Sequence, residues 1–127
     1  MAATVYYIDL TREQSNQLNN NPKGWGGEIG SAYLRAQDGK FDSTNTNFIH
    51  AAARFEDDLF SSADDLEEIW TRLQNGFKPW TEDEYAQCLT EFPRSMSVGD
   101  LVVFDNGDSY RCASIGFEPF NIKGLGI

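Results

Sequence analysis

Residues 101 to 114 constrain the fold more than any other stretch of the chain. Leu101-Val102-Val103-Phe104 is an unbroken apolar run, Asp105-Asn106-Gly107-Asp108 follows, and Tyr110, Cys112 and Ser114 then alternate with Arg111 and Ala113. An apolar run, an Asn-Gly pair and an alternating run spell two antiparallel strands, with Asn106-Gly107 available for a two-residue type I′ turn. Gly116-Phe117 ends the hairpin, and Asn121 to Ile127 reads as a loose tail.

The same logic runs upstream. Thr4 to Leu10 is rich in β-branched and aromatic residues and reads as a largely buried strand ending at Thr11. Thr11 with Gln14 three residues on fits a capping box, opening a short helix that Asn19-Asn20-Asn21-Pro22 stops. Residues 31 to 37 suit either helix or strand, and 40 to 47 form a polar loop. Phe48 to Glu56 reads as a strand, with Ile49, Ala51, Ala53 and Phe55 on one face and His50, Arg54 and Glu56 on the other. Leu66, Ile69, Trp70 and Leu73 make a helical apolar stripe over 64–74, with Ser61, Ser62 or Asp64 as its cap and Asn75-Gly76 as its stop. Thr81 and Glu84 predict a second capping box and a helix running through Tyr85, Cys88 and Leu89 toward Pro93.

These elements predict one α+β domain over residues 1–127: a small, mainly antiparallel sheet with a C-terminal hairpin, packed by two to three helices. No repeat or low-complexity segment divides it. No run of about 18 apolar residues predicts a membrane span, and Met1 to Tyr6 lacks the charged and apolar regions of a secretory signal. A cytoplasmic protein is therefore expected. Two cysteines, Cys88 and Cys112, make neither a disulfide framework nor a zinc site, and both read as small buried hydrophobes.

Charge narrows the field further. The formal net charge is -10, and a pI near 4.3 argues against binding nucleic acid through its phosphates. Residues 1–55 hold five acids and five bases, whereas residues 56–127 hold fifteen acids and five bases, so the whole excess lies in the second part. Glu56, Asp57, Asp58, Asp64, Asp65, Glu67, Glu68, Glu82, Asp83 and Glu84 cluster before and within the first turns of the two helices expected there. One reading is a solvated face whose acids match the positive ends of helix dipoles. The other is an acidic surface that docks on a basic protein partner, for instance the groove that such a partner uses for nucleic acid. The acids lack the spaced oxygen-ligand pattern of a calcium loop, so no metal is expected.

Two further features bear on binding. Phe77-Lys78-Pro79-Trp80 joins the two expected helices, and Phe77 or Trp80 could be an exposed aromatic anchor. Gly24, Gly26, Gly27 and Gly30 surround Trp25, but the loop lacks the lysine of a P-loop. It reads as a flexible connection anchored by a buried Trp25, with a ligand loop at Trp25, Gly26 and Gly27 as the alternative. Catalysis finds little support. His50 is the single histidine, no serine or cysteine motif marks a nucleophile, and a pairing of His50 with Cys88 or Cys112 stays open. A non-enzymatic role without a cofactor is the expectation, and the oligomeric state is left undetermined.

The strand from Phe48 to Phe55, the Leu-Glu-Glu-Ile-Trp helix opening at 66–70, Ser95-Met96-Ser97-Val98-Gly99-Asp100-Leu101-Val102-Val103 and Tyr110-Arg111-Cys112-Ala113-Ser114-Ile115-Gly116-Phe117 together resemble the YodL-like family, over about two thirds of the chain. The Tyr6-Tyr7-Ile8 strand fits the same pattern, and residues 19–47 depart from it. The shared motifs are structural and include no catalytic signature. The family is of unknown activity and is met in phages, plasmids and mobile elements. The resemblance therefore implies an accessory or counter-defence role, such as an inhibitor or regulator acting through the acidic surface. The alternative is a small-molecule or nucleotide-binding module using the Trp25 loop and aromatic residues.

Overall fold

The computed structural model describes residues 2–56, 60 and 63–127. Among them, six antiparallel strands form one sheet of order β3-β2-β1-β4-β5-β6, joined by three α-helices in an α+β fold. β1 (Ala3–Ile8) is central, between β2 (Ile49–Phe55) and β4 (Leu101–Phe104). Its β-branched and aromatic residues suit a strand covered on both sides. β5 (Ser109–Cys112) completes the expected hairpin, and β3 (Ala86–Cys88) and β6 (Phe117–Pro119) are the two edges.

Thr11 caps α1 (Arg12–Asn20) as the sequence predicts: the Gln14 N–H donates to Thr11 Oγ1 at 3.1 Å, and the Thr11 N–H donates to Gln14 Oε1 at 2.8 Å. The undecided stretch at 31–37 lies inside α2 (Glu28–Gln37). α3 (Leu66–Arg72) follows a 3-10 turn at Ala63–Asp65 and buries Leu66 and Ile69, with Leu73 just beyond its end. Ser61 and Ser62, two of the expected caps, lie outside the described residues, and Asp65 occupies the N-cap without a capping hydrogen bond from its side chain to the first turn of α3.

Alternation along β1 sorts the core into two layers. Ala3, Val5 and Tyr7 face one side with Ala53, Phe55, Val102, Phe104 and Cys112. There they meet Phe60, the α3 stripe, Trp80 and Met96. Ile8 sits one step out of phase with Tyr7 and packs with Phe48 and with Ala32 and Ala36 of α2 on the opposite side. One helix thus closes each face of the sheet.

Six expectations are corrected. The predicted second helix does not form: Trp80–Glu82 is a single 3-10 turn, and the chain then pairs as β3. Asp83 is the reason, because its carboxylate accepts the Tyr85 N–H at 2.9 Å and is clamped by Arg72, which turns the backbone out of helix. The alternation in β2 breaks at a bulge, where Val5 pairs with Ala53 and Tyr6 with Ala51. Ala52 is the extra residue and is buried, whereas Ala51 is exposed. The hairpin turn is not type I′, because Asn106 does not have positive φ. Gly107 alone does, at +95°, and its N–H donates to the Phe104 carbonyl while the Phe104 N–H donates to that of Asp108. This is a type I turn closed by a glycine bulge. Finally, Cys88 is exposed, and the hairpin continues past Gly116 into β6.

The sixth correction concerns the glycine loop. Trp25 is 52% exposed, its ring 5.9 Å from that of Tyr33, so it does not anchor the loop by burial. A Cβ on Gly30 would lie 2.5 Å from the Trp25 carbonyl oxygen. The loop is therefore held by close approach of its backbone to α2, which only glycine at position 30 permits.

Candidate functional site

The acidic segment does not behave as one uniform surface. Arg72 takes up two of its members, with Nη2 3.1 Å from Glu68 and Nη1 3.0 Å from Asp83, and its guanidinium lies 5.0 Å from the Tyr85 ring centre. Arg54 takes up Glu56 at 2.8 Å and also Asp105 at 3.1 Å. Asp64 is exposed and Asp65 half-buried, while Asp57 and Asp58 lie outside the described residues. Glu67, Glu82 and Glu84 are exposed, and none forms an ion pair among the described residues. Unpaired carboxylates at the surface keep their field in solution, whereas paired ones are largely cancelled.

The two proposed aromatic anchors separate. Trp80 is 2% exposed, and its Nε1–H donates to the Arg94 carbonyl at 2.7 Å, so it is a core residue. The sequence offers no feature that distinguishes it from Phe77, which is fully exposed. The loop bearing Phe77 is tied to the 93–95 segment: Asn75 accepts the Trp80 N–H and donates to the Pro93 carbonyl, and the Asn75 N–H donates to Ser95 Oγ. Phe77 is thus presented on a braced loop.

Sequence reasoning missed a dense polar cluster centred on Arg94 and Asp100. Arg94 donates to Asp100 at 2.8 and 2.9 Å and to Asp9 at 2.8 Å, and its guanidinium stacks 4.1 Å from the Tyr7 ring centre. Asp100, 1% exposed, also accepts the backbone N–H of Ile8 at 3.0 Å and of Ser97 at 2.8 Å. Burial pushes the Asp100 carboxyl up, against the pull of Arg94 and those two N–H donors. Burial also opposes the Arg94 charge, but its bonds to Asp100 and Asp9 outweigh it and hold the guanidinium above its ordinary value. With both Asp100 oxygens and every nitrogen of the Arg94 guanidinium engaged, this cluster stitches the 93–100 segment to β1. The only sequence signal was a lone Arg and Asp flanking Ser95 to Gly99.

The alternative ligand loop borders a cleft of about 930 Å³ between α1 and α2. Gly26 and Gly27 line it together with Gln14, Gln17, Glu28 and Arg35, and Trp25 does not. Arg35 is engaged there by Ser31 and Thr44. A smaller cleft of about 330 Å³ lies where β2 meets the segment after β3. His50 lines it, and its Nε2 is buried with no hydrogen-bond partner among the described residues.

Among the described residues, no group of three or more His, Cys, Asp or Glu side chains could hold a metal ion, and no helix is long and apolar enough to cross a membrane. Comparison of the chain with known protein families, curated proteins and solved structures finds no match.

Proposed function

We propose that this protein is a cytoplasmic protein-binding module that engages a basic partner through the surface carrying Glu67, Glu82 and Glu84. The observation that supports this most is the placement of those three exposed carboxylates, without an ion pair among the described residues, on the same stretch of chain as a fully exposed aromatic residue, Phe77. Charge speeds encounter with a cationic target, and an aromatic side chain in contact supplies the apolar part of the binding energy. The resemblance to the YodL-like family adds a setting, that of an inhibitor or regulator carried by a phage or mobile element.

A pull-down from bacterial lysate at low and high salt tests the reading, with wild type beside a Glu67→Gln, Glu82→Gln, Glu84→Gln variant. A partner captured through this surface is released as salt shortens the Debye length from about 10 Å toward about 3 Å, and the variant loses it. A partner held equally by both proteins at high salt rules the surface out.

The second reading, a small-molecule site at Gly26 and Gly27, is favoured by the volume of the α1–α2 cleft. A nucleotide that binds there raises the melting temperature by mass action, and Arg35→Ala removes that rise.

A further inference from the structure

The two edges of the sheet are built differently. At β6, Pro119 has no N–H to offer a further strand, and Glu118 is tied across to Arg111 at 3.0 Å. Both are devices that blunt an edge. β3 has neither a proline nor a lysine, and no described strand pairs with its outer side.

The hydrogen-bond phase of β3 can be read from its neighbours. The Leu89 N–H donates to the Ala52 carbonyl at 2.9 Å, and Gln87 pairs with Arg54. In an antiparallel ladder alternate residues face the same neighbour, so Gln87 and Leu89 turn their backbone groups toward β2. Ala86 and Cys88 then present theirs outward. Beside them, Leu89 and Phe92 are 45% and 53% exposed and line the cleft of about 330 Å³ with Ala51, its charged residues being Asp9, Arg12 and Glu91. A ladder of donors and acceptors with no strand partner among the described residues, leading to an apolar recess, is what strand addition requires: the backbone supplies affinity and the recess seats one side chain.

Charge decides what can occupy this edge. Residues 79–93 contain Glu82, Glu84 and Glu91, with Asp83 held by Arg72, and no Lys or Arg of their own. A second copy pairing edge to edge would bring two such segments together, and like charges directly opposite are destabilising. A basic segment meets the opposite situation. We propose that the outer side of β3 is a strand-addition site for an extended, Lys- or Arg-bearing segment of a protein partner, with an apolar side chain of that segment in the Leu89–Phe92 recess. This rests on the acidic-surface reading and adds to it a specific edge and a backbone mode of recognition.

The test uses a short fluorescein-labelled peptide alternating lysine and valine, its copy N-methylated at every second residue, and fluorescence anisotropy at low salt. The unmodified peptide is expected to bind, to slow hydrogen exchange at the Ala86 and Cys88 amides rather than at Gln87, and to lose about tenfold in affinity on N-methylation, which leaves charge intact. Cys88→Pro removes an outward N–H, together with the thiol contact to the Thr90 carbonyl at 3.3 Å, and should weaken binding by a similar factor. If that variant misfolds, the N-methylated peptide still decides. Equal binding of the two peptides, or no binding of either, overturns strand addition. If the peptides bind equally while Glu82→Gln, Glu84→Gln, Glu91→Gln weakens both, the acidic surface survives and the edge does not. If that acid-to-amide variant binds like wild type, the underlying reading fails as well.

Discussion

Replacing Asp100 by Asn puts the buried cluster under Arg94 to a quantitative test. The change keeps the shape of the side chain and one acceptor oxygen, but it sets an NH2 against donors that now find a carboxylate. Arg94 and the backbone N–H groups of Ile8 and Ser97 all donate to Asp100, at 2.8 to 3.0 Å. A buried donor left without a partner costs about 1–3 kcal/mol. Removing one member of a buried ion pair costs about 3–5 kcal/mol. Arg94 is one-third exposed and keeps Asp9 and the Tyr7 ring, which draws the sum toward the lower figures. A loss of about 2–4 kcal/mol follows. With an m-value of about 1.5 kcal/mol per molar urea, the unfolding midpoint should fall by roughly 2 M with an unchanged slope. Arg94→Met and the double variant complete a cycle, in which the two changes should be strongly non-additive. A loss below about 1 kcal/mol, or simple additivity, would show that the cluster is a bystander.

Three smaller predictions accompany it. Gly30→Ala gains about 1 kcal/mol of helix propensity but drives a methyl to 2.5 Å from a backbone oxygen, so it should lower the melting temperature, whereas Gly26→Ala, with open space at that position, should not. Asn45→Ala should cost about 1–3 kcal/mol in urea unfolding, because the fully buried amide donates to the Ala32 and Lys40 carbonyls and accepts the Asp42 N–H. Burial pushes the Cys112 thiol up to about 11. Because an unfolded thiol sits near ~8.5, the folded chain holds that proton more tightly, and the stability this confers is complete below ~8.5 and lost as pH rises through the folded value. Melting temperature should therefore fall less steeply with alkaline pH in Cys112→Ala than in wild type, and parallel curves would refute this.

What the sequence discloses here is local. The Thr11 capping box, the α3 stripe and the 101–112 strands each lie within a dozen residues, and propensity and periodicity read them directly. β3 is three residues long, too short to carry a period, and the Thr81–Glu84 spacing imitates a helix start that Asp83 defeats through its bond to Tyr85. The bulge at Ala52 depends on a partner strand more than forty residues away, so no pattern within β2 could place it. The same holds for Arg94, whose bonds to Asp9 and Ile8 span 85 and 86 residues. The acidic excess was legible as a number, but which acids stay unpaired was not, because Arg72 and Arg54 choose their partners only in the fold.

The position of β1 carries a consequence for how the chain is made. The first of these six strands in chain order lies between β2 and β4, and its second neighbour begins only at Leu101. Until then one side of the central strand has no partner, and Tyr7 has no Arg94 to lie against. Contacts that close so late are entropically expensive and slow folding. During synthesis the early half therefore waits, with an open strand and exposed aromatic rings, for the arrival of the last third. It is in that interval, rather than after completion, that the chain is most exposed to aggregation. A fragment lacking the first ten residues loses the strand joining β3-β2 to β4-β5-β6, and neither part keeps the whole face on which α3 packs.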